Sequence, residues 1–334
     1  MATIREVAQR AGVSPTTVSH VINQTRYVSE EVTVRVHMAM QELGYRPNAL
    51  ARSLRCGETK TIGLILPDSS NPYFAELGHA IESQVFSYGY SLILCNSEGD
   101  QKKETFYTQV LMEKQVDGIM FISSGDEGSS IQSLLDHQVP LVVIDRICGA
   151  LDIDVVLTDN FQGGYAAGSY LAGLAHTRIG MITGPIRVTP SAERGTGFQQ
   201  ALADHGIEVE KGLIVRGAFN AASGYQAAEK LLSINEPPTA IFASNDLMAI
   251  GTLRAAYEHG LSVPQDLSLI GFDDIELASY VVPPLTTIAQ PKEQIGQAAV
   301  DLLIKRITDP VRETERVVLQ NSLVLRNSCR RFFS

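Results

Sequence analysis

The sequence predicts an α/β protein: a three-helix head containing a helix-turn-helix, followed by a larger body of two doubly wound α/β halves. At 334 residues the chain is too long for one ordinary core, so several packed units are expected. From Thr61 onward, short β-branched runs alternate with longer helical patterns, which is typical of βαβ units around a parallel sheet. The rhythm restarts after Asp159, so two such halves are expected.

The first and third helices of the head follow from apolar spacing. In "TIREVAQRAG" the residues at helical spacing are Ile4, Val7, Ala8 and Ala11. Gly12 then ends the helix, since glycine suits a left-handed C-cap. A third helix is predicted over residues 30–43. Its inward-facing residues are Val32, Val36, Ala39, Met40 and Leu43.

The second helix carries an unusual number of exposed hydroxyl groups. Ser14 suits its N-cap and Pro15 its first turn, and the apolar face holds Val18, Val21 and Ile22. The residues left outside are Thr16, Thr17, Ser19 and His20. Such a helix after a tight turn predicts a helix-turn-helix whose second helix enters the DNA major groove. The pattern fits equally a surface helix that hydroxyl groups merely cap and solvate, and both interpretations stand at this point.

The segment "YRPNALARSLRCGETK" follows the head. Residues 48–54 are too few for a stable helix in water, so the segment would order only against a partner. Leu54, between Arg52 and Arg55, fits an apolar wedge that unstacks a base step in the minor groove. A plain linker with one stray leucine is the alternative. We assign the head to residues 1–46 and a hinge helix with linker to residues 47–60.

Charge is distributed unevenly along the chain. The net charge is −10, but residues 1–60 carry +3 and the remainder carries −13. This asymmetry suits a small DNA-facing head on an acidic body that phosphate repels.

Composition argues against several other classes of protein. The chain is 44% hydrophobic, with no apolar run that could span a bilayer and no signal-peptide segment, so a cytoplasmic location without a membrane partner is expected. The four cysteines form no CxxC pair, and the histidines show no metal spacing. No metal and no cofactor are therefore expected.

Catalysis is not expected either. Neither "GTGFQQ" nor "GGYAAG" has GxGxxG spacing, and "GGYAAG" follows no evident strand. GxSxG, HExxH and P-loop sequences are absent. We therefore predict a protein that is not an enzyme.

Polar residues follow the predicted strands of the body, where doubly wound sheets bind ligands. They are "PDSSNPYF" after "TIGLIL", Asp145 and Arg146 after "VVI", Asn245 after "IFAS", Asp273 after "LIGF" and Gln290 after "TTIA". Carboxylates accept from sugar hydroxyls, guanidinium groups donate, and amides do both. Aromatic rings can cover the faces of a sugar. Each residue alone has an ordinary structural explanation, and their shared position after successive strands favours a ligand site.

These motifs resemble, in order, those of the lac/gal repressor family of bacterial transcription regulators over nearly the whole chain. They are "TIREVAQRAGVSPTTVSHVIN", "GYRPNALARSL", "TIGLILPDSSNPYF", "ASNDLMAIG", "LIGFDD" and "PPLTTIAQP". Within the family, "GYSLILCNSEGD", "DDIELAS" and "QPKEQIGQAAVDLLIKRITDP" are most similar to regulators of ribose operons. The resemblance implies a homodimer on a pseudo-palindromic operator, and a sensor like periplasmic sugar-binding proteins.

The resemblance also implies site residues and subdomains. The DNA-binding set is Thr3, Ser14, Thr16, Thr17, Ser19, His20, Asn23, Tyr45, Ala49, Arg52, Leu54 and Arg55. The ligand set, by similarity to ribose-binding proteins, is Asn71, Tyr73, Phe74, Asp145, Arg146, Arg194, Phe219, Asn245, Asp273 and Gln290. Tyr73 departs from the phenylalanine usual there. The sensor subdomains are expected at 61–160 with 291–320, and at 161–290 with 321–334.

The function expected is repression of a ribose-utilisation operon, with D-ribose as inducer. The alternative is a repressor of the same family that responds to a purine or another sugar as corepressor. The head does not discriminate between them. Asp145, Arg146 and the acidic Asp273 favour a polyhydroxyl ligand over a flat nucleobase.

Overall fold

The structure is a computed structural model that describes residues 2–23, 25–45, 57–122, 129–146, 151–185 and 188–333. The chain forms two compact units, Met1–Thr59 and Lys60–Ser334, which we call the head and the body.

The head contains the three predicted helices. They are α1 (Ile4–Ala11), α2 (Pro15–Asn23) and α3 (Glu30–Glu42). Thr3 and Glu6 form a capping box at the start of α1, and Gly12 ends it in the left-handed conformation at φ 67°. The core residues of the head are Val7, Ala8, Ala11, Val18, Val21, Val36 and Ala39.

The prediction that Leu43 faces the core of the head is wrong. Leu43 is 38% exposed, whereas Val32 and Met40 are half-buried against the core. Helix α3 ends at Glu42, so Leu43 lies at the C-cap, past the last residue that the helical period points inward.

The body contains two six-stranded sheets. The first has the order β11 (Arg316–Leu319), β5 (Asp154–Thr158), β4 (Leu141–Ile144), β3 (Gly118–Phe121), β1 (Thr61–Leu66) and β2 (Ser91–Asn96). The second has the order β12 (Ser322–Val324), β10 (Thr286–Ala289), β9 (Ser268–Asp273), β8 (Ala240–Ala243), β6 (Ile179–Thr183) and β7 (Ile214–Arg216). All neighbouring strands are parallel except β12, which is antiparallel to β10. The predicted doubly wound α/β fold is confirmed.

Helices cover both sheets. Those around the first sheet are α4 (Pro72–Ser87), α5 (Gln101–Glu113), α6 (Ser129–Asp136) and α11 (Lys292–Thr308). Those around the second are α7 (Asn160–Gly173), α8 (Thr189–Asp204), α9 (Ala221–Leu232) and α10 (Asp246–Glu258). We call the first sheet with its helices the N-subdomain and the second the C-subdomain. Among the described helices, none is long and apolar enough to cross a membrane.

The chain passes between the subdomains three times: from β5 to α7, from β10 to α11 and from β11 to β12. The crossings are hydrogen-bonded to one another. Thr158 Oγ1 donates to Gln290 Oε1 at 2.9 Å, and Asn321 Nδ2 donates to the Asp159 carbonyl at 2.9 Å. The junction is therefore a connected structure.

The glycine-rich stretches "GGYAAG" and "GTGFQQ" lie where helix α7 packs against helix α8. A Cβ on Gly164 would lie 2.0 Å from the Arg194 carbonyl, and one on Gly197 would lie 2.0 Å from the Phe161 carbonyl. "GGYAAG" does follow a strand, β5, contrary to the expectation from sequence. Its glycines allow close backbone approach between helices.

Candidate ligand cleft and DNA-facing surface

A cavity of about 370 Å³ lies between the two subdomains, and nine of the ten predicted ligand residues line it. The N-subdomain contributes Asn71, Tyr73, Phe74, Asp145 and Arg146. The C-subdomain contributes Arg194, Phe219, Asn245 and Asp273. We call this cavity the ligand cleft.

Asp145 and Arg146 are buried with unpaired polar atoms. Asp145 is 8% and Arg146 is 6% exposed, and their ion pair is long, at 3.7 Å. Asp145 Oδ1 and Arg146 Nε and Nη1 have no hydrogen-bond partner. Since leaving such groups unpaired costs free energy, a polar ligand with both donors and acceptors is the natural partner.

Arg194 is held from three sides. Nε donates to Asn160 Oδ1 at 2.7 Å, and Nη1 donates to the Ser244 carbonyl at 2.8 Å. The guanidinium also stacks over the Phe272 ring, 3.7 Å from its centroid. Its geometry is therefore preorganised for a ligand in the cleft.

The pKa of Asp273 is raised to about 6 because the carboxyl is buried and Asp145 lies nearby. Arg194, Gln290 and Lys292 oppose this rise by favouring the carboxylate. Burial and the same two carboxylates also raise the pKa of Tyr73, which keeps its hydroxyl protonated as a donor.

Two predicted ligand asparagines also cap helices. Asn71 Oδ1 accepts from the Tyr73 backbone N–H at 3.1 Å at the start of α4. Asn245 Oδ1 accepts from the Met248 N–H at 2.9 Å, and its Nδ2 donates to the Phe219 carbonyl at 3.1 Å. Each asparagine thus fixes a helix end at the cleft.

Aromatic rings enter the cleft from both subdomains. Phe74 and Phe219 are half-buried and line it from the N-subdomain and the C-subdomain respectively. A Cβ on Gly184 would lie 2.2 Å from the Phe219 ring, so glycine is required to admit that ring.

Three of the predicted ligand residues have a strained backbone at the cleft. Asp145, Phe219 and Asp273 have φ of 73°, 60° and 110°, conformations that residues with a Cβ rarely adopt. Such strain is typical of functional sites, where the surrounding structure holds the residue in place.

Gln290 does not line the cleft. Its Oε1 accepts from Tyr73 Oη at 3.1 Å and from Thr158 Oγ1, and its Nε2 donates to Asp273 Oδ1 at 2.8 Å. These three bonds hold the side chain behind the cleft, and one of them needs the Tyr73 hydroxyl, which a phenylalanine lacks. The sequence-based ligand set also missed residues that line the cleft, among them Asp68, Glu98 and Asn220.

A groove on the head is lined by residues of α2. Four predicted DNA-facing residues line it, together with Ile4, Pro15 and Thr25; the four are Thr16, Ser19, His20 and Asn23. His20 Nδ1 lies 2.7 Å from Thr25 Oγ1, and Asn23 Nδ2 donates to the Ser19 carbonyl at 2.8 Å. These contacts orient the side chains toward the groove.

The other predicted head residues make local contacts. Thr3 caps α1, and Ser14 caps α2 by accepting from the Thr17 N–H at 3.0 Å, so the hydroxyl groups do serve as caps there. Tyr45 packs partly against the core of the head. The predicted hinge residues Ala49, Arg52, Leu54 and Arg55 lie outside the described residues.

Within the described part of the chain, no group of three or more histidine, cysteine, aspartate or glutamate residues is arranged to hold a metal ion.

A helix-turn-helix head and a two-subdomain body with a polar cleft define a ligand-responsive DNA-binding regulator. Residues 3–48 match the model of the lacI family of bacterial regulatory proteins, and residues 169–329 match that of a periplasmic binding protein-like domain. The ribose operon repressor of Escherichia coli K12 is 43% identical over 329 residues, 98% of this chain and 100% of that protein. The chain belongs to the lacI family.

Other relatives and solved structures are similar to this chain over most of its length. The HTH-type transcriptional repressor PurR of Edwardsiella ictaluri is 44% identical over 330 residues, 98% of this chain and 97% of that protein. The crystal structure of the lac repressor dimer bound to operator and the anti-inducer ONPF has a TM-score of 0.87 at 30% identity, covering 98% of both chains. A LacI family regulator of Enterococcus faecium with bound ribose has a TM-score of 0.74 at 33% identity, covering 82% of this chain and 100% of that one.

Proposed function

We propose that the protein is a cytoplasmic, homodimeric repressor that binds a pseudo-palindromic operator and releases it when D-ribose enters the ligand cleft. Its target is then a ribose-utilisation operon. The observation that supports ribose as the effector is the buried Asp145–Arg146 pair. One acceptor atom and two donor atoms of this pair are unpaired beside the cleft. A pentose hydroxyl group both donates and accepts, so a rim of hydroxyls can satisfy both residues.

The opposite side of the cleft is suited to the same ligand. Asp273 accepts and Arg194 donates, while Phe74 and Phe219 can contact the C–H faces of the ring. The ligand-bound E. faecium regulator, which contains ribose, supports a sugar in a body of this fold.

A purine corepressor is the second candidate, because PurR proteins are as similar in sequence as the ribose operon repressor. The charged Asp145–Arg146 pair favours the sugar. A flat base offers few donors and acceptors, all at its edge, and would leave more of these buried atoms unpaired.

DNA binding rests on the head. The α2 groove presents Thr16, Ser19, His20 and Asn23, residue types that bond base edges and phosphates in the major groove. The homodimer is supported by similarity to the lac repressor dimer, since two heads related by a twofold axis match a pseudo-palindromic site. We infer that the protein regulates and does not catalyse.

Calorimetry tests the effector directly. Ribose, arabinose, hypoxanthine and guanine are titrated into the full-length protein, whose dimeric mass is checked by light scattering. Saturable binding of ribose, stronger than that of arabinose and either purine, supports the proposal. Binding of a purine with no heat from ribose would replace ribose with the second candidate.

A further inference from the structure

Gln290 and Lys292, in the segment that joins β10 to α11, hold Asp273 at both its side chain and its backbone. Gln290 Nε2 donates to Asp273 Oδ1 at 2.8 Å. Lys292 Nζ donates to the carbonyls of Asp273 and Asp274, at 3.2 and 2.6 Å. Neither Gln290 nor Lys292 lines the ligand cleft, so both act on Asp273 and not on a ligand.

The backbone at Asp273 requires such support. Asp273 and Asp274 have φ of 110° and 52°, two successive residues in a region that side chains disfavour. Residues stay in such conformations only where their surroundings hold them. Because Lys292 bonds both carbonyl groups, it stabilises the conformation that places the Asp273 carboxylate at the cleft.

The other ends of these contacts lie on helix α4 of the opposite subdomain. Tyr73 Oη donates to Gln290 Oε1 at 3.1 Å, and Lys292 Nζ lies 2.8 Å from Glu76 Oε2. Glu76 Oε1 also accepts from the Glu276 backbone N–H at 2.9 Å. The Lys292 and Glu76 side chains are 15% and 29% exposed, so solvent screens this ion pair less than a surface pair.

We propose that Gln290 and Lys292 form a strut that positions the Asp273 carboxylate in the cleft and makes its position depend on helix α4 of the N-subdomain. Both are positioning residues. The inference rests on the proposed function in one respect: it takes Asp273 as a ligand-binding residue. Ligand affinity then depends on Glu76 and Lys292, which lie outside the cleft.

Ribose calorimetry on full-length variants tests the strut. Lys292→Met should weaken ribose binding by roughly tenfold, because a displaced carboxylate loses its bond to the ligand. Glu76→Gln, a milder change, should weaken it less. The double variant should bind no more weakly than Lys292→Met, because both changes break one link.

Lys305→Met is the matched control, since Lys305 pairs with Glu315 at 3.7 Å and is 57% exposed. If Lys292→Met binds ribose as tightly as this control, the strut has no positioning role. If the losses in the double variant add, Glu76 and Lys292 do not act as one unit.

A second measurement needs no ligand. The ¹³C carboxyl resonance of Asp273, assigned with Asp273→Asn, should titrate near the wild-type pKa of about 6 and at a higher pKa in Lys292→Met, where a nearby positive charge is gone. A general fold defect would instead move the titration down, toward the pKa of about 3.9 that an aspartate has in an unfolded chain. If the wild type binds no ribose, the proposed effector is wrong, but an Asp273 titration unchanged in Lys292→Met is what would overturn the strut.

Discussion

Asp273 and Arg194 lie together at the C-subdomain side of the cleft, with Asp273 Oδ1 3.4 Å from Arg194 Nη1 and each side chain 5% exposed. Both come from elements of one subdomain, so a ligand meets an acceptor and a donor whose relative position is already fixed. Breaking a buried pair of this kind is costly, because the remaining charge is left without its partner.

Asp273→Ala should remove the ribose response while leaving operator binding by the ligand-free protein unchanged. The loss of a buried charged acceptor should weaken ribose binding by about 2 kcal/mol or more. Fluorescence anisotropy of labelled operator DNA, with and without ribose, measures both properties. Loss of operator binding as well would indicate a defective fold, and an intact ribose response would remove Asp273 from the site.

Ribose affinity should fall as the pH is lowered through 6. Burial raises the pKa of Asp273 to about 6, and the proposed site uses its carboxylate, which is a stronger acceptor from a hydroxyl than the protonated carboxyl. Arg194, Gln290, Lys292 and Asp145 act on this pKa, and Asp273 in turn raises the pKa of Tyr73 and of Asp246. At pH 5 the dissociation constant should be about tenfold higher than at pH 8, because one proton must be removed before binding. Asp273→Asn should show a flat profile across this range, and an equally steep profile in that variant would place the titration elsewhere.

The stability of the ligand-free protein should rise as the pH is lowered, whereas its ribose affinity falls. Because the folded pKa of Asp273 exceeds its unfolded value, the folded state binds more protons at pH 4–6. Asp273 therefore adds stability as the pH falls through this window and none above it.

His20→Ala should change the preference for one base pair of the operator. If the ring, oriented by Thr25, reads a base edge, discrimination at that position falls by roughly 1–3 kcal/mol. Competition binding with single-base operator variants measures this effect. His37→Ala, an exposed change on α3, is the control. A uniform loss of affinity over all operator variants would assign His20 to a phosphate.

Gly197→Ala should destabilise the C-subdomain by roughly 1–3 kcal/mol, because the new Cβ meets the Phe161 carbonyl between α7 and α8. Gly173→Ala provides the matched control within the same helix pair, since nothing lies within 4 Å of its Cβ. That change should be neutral or stabilising by about 0.4–1 kcal/mol. Urea unfolding compares them, and equal midpoints would show that α7 and α8 do not need this close approach.

Much of the fold follows from local patterns. The run "TIGLIL" matches β1 residue for residue, and the helix predicted over residues 30–43 is α3, Glu30–Glu42. In both cases the spacing of apolar residues within a single element is enough to predict its type. Strand β5 was missed, because it begins with the charged Asp154, whose burial depends on Arg306 and Arg312 at 2.9 and 3.0 Å. A local sequence pattern cannot reveal ion-pair partners that lie about 150 residues further along the chain.

The candidate site shows the same division. Asp145 and Asp273 each come at the end of a strand, and parallel strands end on one side of the sheet, so the sequence predicts both at the edge of the cleft, where they lie. It does not determine the direction of the Gln290 side chain, which is held by tertiary hydrogen bonds with Tyr73, Thr158 and Asp273. Glu98 also follows a strand, β2, and the same reasoning applied to every strand would have included it.

The most direct measurement of the central claim is the affinity of the full-length protein for its operator as ribose is added. We expect ribose to weaken operator binding, with operator weakening ribose binding by the same factor. Hypoxanthine and guanine should have no effect. Tighter operator binding with ribose, or release only by a purine, would contradict the account.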